Sequence, residues 1–213
     1  MTRNPVGSVS NEQLQKNLDK YRQRAVEMGA TDAKVITTDI VVIDERVRAK
    51  CTYPRCSSYG TNVNCPPYAM SLDQVRKVVS NFRYGILAKI EIPSNKITGA
   101  EAIKKNLAAP YQKTINEIIA KIEAQAFYDG HYLALGFGSG TCKSMFCPDT
   151  DCKALITGQS CPHRLKARSS MEAVGIDCFN LATRVGWNIY PIGSHTSPEE
   201  IPYGLRMGLV FIA

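Results

Sequence analysis

Hydrophobic positions along this chain fall into short, punctuated patterns whose period changes several times. Leu14, Leu18, Tyr21 and Ala25 recur at helical spacing after Ser10, a cap residue with Gln13 at the capping-box position, and Gly29 stops the run. AKVITTDIVVIDERVRAKC follows; its β-branched residues alternate in part and predict one or two strands leading into Cys51. Ser71 caps LDQVRKVVSNF, a helix with Leu72, Val75, Val78 and Val79 on one face, and YGILAKIEI reads as a strand. A longer helix is predicted from about Gly99 to Tyr128. Its stripe of Ile115, Ile118, Ile119, Ile122 and Phe127 faces the core, and Pro110 starts a fresh segment or kinks it. YLALGFGSG reads as a strand ending in glycines that allow close backbone approach, just before Cys142. MEAVGIDCFNLATRVGW predicts a turn and then a helix. NIYPI and YGLRMGLVFIA read as strands, the last apolar enough to be central.

Helices alternating with strands predict an α/β or α+β sandwich: a mixed sheet, flanking helices, and cysteine-rich cluster-binding loops at the strand ends. No linker divides the 213 residues, so a single domain over residues 1–213 carrying two cysteine-rich metal sites is expected. No apolar run approaches the length of a membrane span, and MTRNPVGSVSNEQLQ lacks the apolar core of a secretory signal. Both observations predict a cytoplasmic protein, where thiols stay reduced. Eight cysteines in that setting point to metal rather than disulfides.

The cysteines follow a ruler written twice. Cys51, Cys56 and Cys65 are spaced C-x4-C-x8-C-P, and Cys147, Cys152 and Cys161 repeat it. Cys142 precedes the second triplet by another x4 gap, so four soft thiolates fall within twenty residues. Sulfur ligands select zinc, copper(I) or iron–sulfur. Structural zinc sites close with tight knuckles, and an x8 gap suits a wider cage, so a four-iron cluster is the favoured group and zinc the alternative. The first triplet needs a fourth ligand, and Cys178 is the one cysteine left. If it serves, two quartets result. If it is instead a small buried hydrophobe between its apolar neighbours, the first cluster has an open iron.

Several motifs together carry a resemblance: C-x4-C-x2-YG-x4-CPP, SGTC, CKSMFC with the downstream cysteines and CPH, and ARSSMEAVGIDCFNLA. From about Arg46 to the C-terminal strand the chain resembles an uncharacterised family of predicted metal-binding proteins found in anaerobic bacteria and archaea. The resemblance implies metal held by these cysteines, as iron–sulfur clusters, and an anaerobic setting; it supplies no reaction. It also implies a cysteine in relatives where this chain has Val174, so Cys178, four residues on, marks a departure from the family pattern.

The formal charge of +7 counts cysteines as neutral. Two oxidised four-iron clusters with their thiolates would lower it to roughly +3. Arg46, Arg48, Lys50 and Arg55 surround the first triplet, and Lys143, Lys153, Arg164, Lys166 and Arg168 the second. No interleaving of aromatic and basic residues signals nucleic acid. Other chemistry is sparse: His131, His163 and His195 are scattered, with His163 placed to bond a cluster sulfur, and GFGSG lacks the residues of a phosphate loop. Asp177 and Glu172 read as capping or salt-bridge residues. The expected function is a two-cluster electron carrier or wiring subunit that docks on a redox partner, a ferredoxin-like donor or an oxidoreductase subunit. An enzyme or activator with an open iron on the first cluster is the alternative, and a zinc-held non-redox module the third.

Overall fold

The computed structural model describes Pro5, Gly7 and residues 9–213. Helix α1 (Asn11–Glu27) starts where Ser10 accepts a hydrogen bond from the Gln13 amide at 3.1 Å. The reciprocal half of the box is not made; the Gln13 side chain bonds Asn17 instead. Strand β1 (Asp32–Thr37) follows, but the predicted strand into Cys51 does not. The chain passes through a 3-10 turn (Thr38–Ile40) and enters helix α2 (Glu45–Thr52), which carries Cys51 in its last turn. The cause is local: Asp44 caps the Arg46 amide at 2.8 Å, and ERVRAK is rich in good helix formers. Helix α3 (Leu72–Val79) has both halves of its capping box. After it come β2 (Tyr84–Pro93), α4 (Ser94–Ile97) and α5 (Ala100–Lys104), then α6 (Ala109–Tyr128), which Pro110 begins rather than kinks.

Strand β3 (Leu135–Phe137) is shorter than the sequence implied. Two short helices, α7 (Cys142–Phe146) and α8 (Lys153–Ile156), carry the second cysteine region. Helix α9 (Cys178–Arg184) and strand β4 (Tyr203–Phe211) complete the order. NIYPI forms no strand; Ile189, Tyr190 and Ile192 line a cavity instead. The sheet order is β1-β2-β4-β3 with every strand pairing antiparallel, so the α+β form of the expectation holds, the sheet is antiparallel rather than mixed, and β4 is central.

Alternation along the strands sends side chains to two cores. Leu87, Met207, Leu209 and Phe211 pack with α3, α9 and Trp187, and Ile86, Ala88, Val210 and Ile212 pack with α1 and α6. The isoleucine stripe of α6 is buried as predicted, except that Phe127 is 54% exposed, because Ala126 takes the inward position of that last turn. A side chain at Gly208 would meet Ile119 at 2.4 Å, so the glycine lets α6 lie on the sheet. Among the described residues no helix is long and apolar enough to cross a membrane.

Backbone pairings then fix where the cysteines sit. Gly138 pairs with Ser169 and Met171, and Asp44 and Val42 pair with Gly175 and Asp177. The chain leaving β3, the start of α2 and the stretch 169–177 are thereby tied to one another.

Candidate functional site

The first triplet grows from α2. Cys51 lies in its last turn, the Cys56 amide returns to the Cys51 carbonyl at 3.0 Å, and the Gly60 amide closes the loop on Pro66 at 2.8 Å. Arg48 braces this loop by donating to the carbonyls of Met70, Pro67 and Ala69. Cys51, Cys56 and Cys65 line one cavity of about 340 Å³ with Ser139, Glu172 and Arg206. Burial pushes the Cys51 thiol above its usual pKa, and the neighbouring Cys56 and Cys65 charges push it the same way.

The second group is local. Thr141 caps α7 by accepting from the Lys143 amide, which places Cys142 first in the helix, and Cys147 ends it. Cys152 precedes α8 and Cys161 lies in the loop beyond. Lys143 draws the loop in by donating to the carbonyls of Cys147 (3.1 Å) and Thr150 (2.8 Å). All four cysteines line a narrow cavity of about 20 Å³, and Cys147, Cys152 and Cys161 also line an abutting one of about 110 Å³. Burial pushes the Cys142 thiol up to about 11, with the Asn64 amide acting against it.

The two groups touch. Cys65 Sγ donates to Thr141 Oγ1 at 3.6 Å, and Asn62 Nδ2 donates to the same hydroxyl at 3.1 Å. Cys142 Sγ donates to Asn62 Oδ1 at 3.4 Å and accepts from Asn64 Nδ2 at 3.4 Å. The loop that carries Cys65 therefore supplies the polar wall behind Cys142. Asn62, Asn64 and Thr141 carry no motif of their own that would have marked them as site residues in the sequence.

Cys178 is placed elsewhere. It is buried in the core with Val174, Leu181 and Trp187, and its thiol donates to the Ile176 carbonyl at 3.7 Å. Burial holds its pKa far above the usual thiol value. It lines a second cavity of about 340 Å³, which shares Ser139, Glu172 and Arg206 with the triplet's cavity but none of its cysteines. Val174, where the resemblance led to the expectation of a cysteine in relatives, is fully buried in the same core, next to Ala173, which lines the triplet's cavity.

The remaining candidates resolve as follows. The His163 backbone amide, not its ring, donates to Cys161 Sγ at 3.4 Å, and the ring lies 5.7 Å from that of Phe146. His131 pairs with Asn17 at 3.0 Å in the α1–α6 core, and His195 is exposed. Asp177 caps α9 through the Asn180 amide, as expected. The glycines of GFGSG admit α6: a Cβ on Gly138 would lie 1.8 Å from Asn116 Oδ1, and one on Gly140 2.4 Å from Gln112 Nε2. Several basic residues near the cysteines are occupied. Arg168 grips Glu123 at 2.7 and 3.0 Å, Arg55 stacks on Tyr59, and Lys166 lies over Phe146.

Among the described residues no three His, Cys, Asp or Glu side chains converge tightly enough to hold a metal ion. The donor set nonetheless fits a thiophilic group: seven uncrosslinked thiols face two cavities, with backbone and amide N–H groups already directed at sulfur. No curated protein and no solved structure matches the chain. The model of one family, DUF2284, described as predicted metal-binding proteins, matches residues 34–212, and the chain belongs to that family.

Proposed function

We propose that this protein is an iron–sulfur protein with two four-iron clusters, one on Cys142, Cys147, Cys152 and Cys161 and one on Cys51, Cys56 and Cys65. It serves as an electron carrier or wiring subunit for a redox partner in the cytoplasm. The observation that carries the reading is the contact between the two thiol groups through Thr141, Asn62 and Asn64. A four-iron cluster supplies a one-electron couple. The chain's own part is to hold two such centres side by side, with the Thr141 hydroxyl and the Asn62 and Asn64 amides between Cys65 and Cys142. Asn64 Nδ2 and the His163 amide donate to sulfur, where hydrogen bonds tune potential.

Zinc on the quartet is the second reading, because the cavity shared by its four thiols has the size of a single ion. One experiment separates them. Anaerobically purified protein is analysed for iron, zinc and acid-labile sulfide, then reduced with dithionite and examined by electron paramagnetic resonance. The expected result is about eight iron and eight sulfide per chain, with bleaching and a spectrum broadened by coupling between adjacent reduced centres. Zinc without sulfide overturns the proposal.

A further inference from the structure

The cavity in front of Cys51, Cys56 and Cys65 is finished by charged residues from distant parts of the chain, not by a fourth cysteine. Arg206 lies on β4 beyond the last residue paired with β3, and Glu172 lies on the 3-10 turn 172–174. The Arg206 Nε is buried with no hydrogen-bond partner among the described residues. Burying such a donor without a partner is unfavourable, and Nε is one of the five donors of a planar fork that matches a carboxylate. Glu172 is the charge that opposes the effect of burial on Arg206, yet no salt bridge joins the two among the described residues; the carboxylate also accepts from the Cys178 thiol. One cation and one anion thus line the same space separately. The volume of about 340 Å³ lies at the small end of the range for ligand pockets.

We propose that this cavity binds a small carboxylate bearing a hydroxyl or amino donor. Arg206 takes its carboxylate, Glu172 takes its donor, and the ligand would complete the coordination of a metal held by Cys51, Cys56 and Cys65. Arg206 sets the requirement for a carboxylate. Glu172 repels anions that lack a donor, so acetate and dianions are selected against. Ser139 and Ser170 add hydroxyls to the same wall.

This inference rests on the cluster reading above, and its test keeps the two apart. Whole-chain protein is first shown to contain its iron and sulfide; absence of both overturns the proposed function and this inference together. Lactate, which has a carboxylate and an adjacent hydroxyl, is then titrated into the reduced protein, with acetate and ethanol as its single-function halves. Lactate is expected to change the resonance spectrum of one of the two centres, and each half to require at least about tenfold more. Arg206→Met should raise the lactate concentration needed by about tenfold or more while leaving iron and sulfide unchanged. Arg206→Lys, which keeps the charge but loses the fork, should fall between, and it preserves the test if the methionine variant does not fold. A fully loaded wild type whose spectrum ignores lactate overturns the inference and leaves the clusters standing. So does an Arg206→Lys variant that responds as the wild type does.

Discussion

The two cysteine groups share one spacing and sit in opposite settings. The quartet lies within twenty residues of sequence, on short helices and loops that supply their own closure through Cys142. The triplet grows from α2, and its cavity is walled by Ser139, Ala173 and Arg206, which come from three other parts of the chain. Repeating C-x4-C-x8-C-P therefore repeats a loop, not a site. What finishes each loop differs: a fourth thiol in one case, and a charged cavity in the other. A site closed by protein suits a resident centre that relays electrons, whereas a site left to charged walls suits exchange with a ligand.

The largest expected effect tests that difference directly. Cys142→Ala removes the quartet's buried corner, and about half of the iron should be lost. Cys178→Ala should keep all of the iron, because its thiol packs in the core and lines a cavity that holds none of the triplet's cysteines, and should cost only about 1 kcal/mol through the small cavity it leaves. Iron analysis and denaturant unfolding of both variants check this. Loss of one cluster in Cys178→Ala would make both sites closed quartets and end the comparison.

A smaller effect separates the anchored end of the quartet from its outer loop. Gly138 leads from β3 to Cys142 against Asn116, a buried side chain that donates to Ser139 O, Gln112 O and Met145 Sδ. A methyl group there would meet Asn116 Oδ1 at 1.8 Å, so Gly138→Ala should destabilise the fold by about 3 kcal/mol. Gly158 has open space around it and a φ of +68°, so Gly158→Ala should cost only the backbone strain of about 1 kcal/mol. Denaturation midpoints of the two variants, compared at equal metal content, check the ranking.

Elements with a complete local signal were legible. Ser71 and the apolar face behind it announced α3, the isoleucine stripe announced α6, and the apolar run at 203–211 announced a central strand. The segment before Cys51 misled, because IVVIDERVRAKC mixes β-branched residues with a cap and helix formers, and Asp44 decides for the helix. NIYPI has the composition of a strand but lies beside a cavity with no partner strand. Of the site, the spacing revealed which cysteines belong to one loop. The adjacency of the two loops, and the arrival of Arg206 at the first, depend on antiparallel register and on the pairing of 169–171 with Gly138, which no local pattern encodes.

The smallest effect concerns the amide that joins the two sites. Asn64 belongs to the triplet's loop, yet its Nδ2 donates to the quartet's Cys142 sulfur. A donor to sulfur stabilises the more negative, reduced form of a cluster, so its removal should lower that cluster's potential. One hydrogen bond of about 1 kcal/mol corresponds to about 40 mV for a one-electron couple. In Asn64→Ala the quartet's midpoint should therefore become more negative by about that amount, with iron content unchanged, while the triplet's midpoint stays in place. Redox titration followed by electron paramagnetic resonance reads both midpoints. A shift in the triplet's midpoint alone would assign Asn64 to the site whose loop it occupies and remove the contact on which electron sharing between the two groups rests.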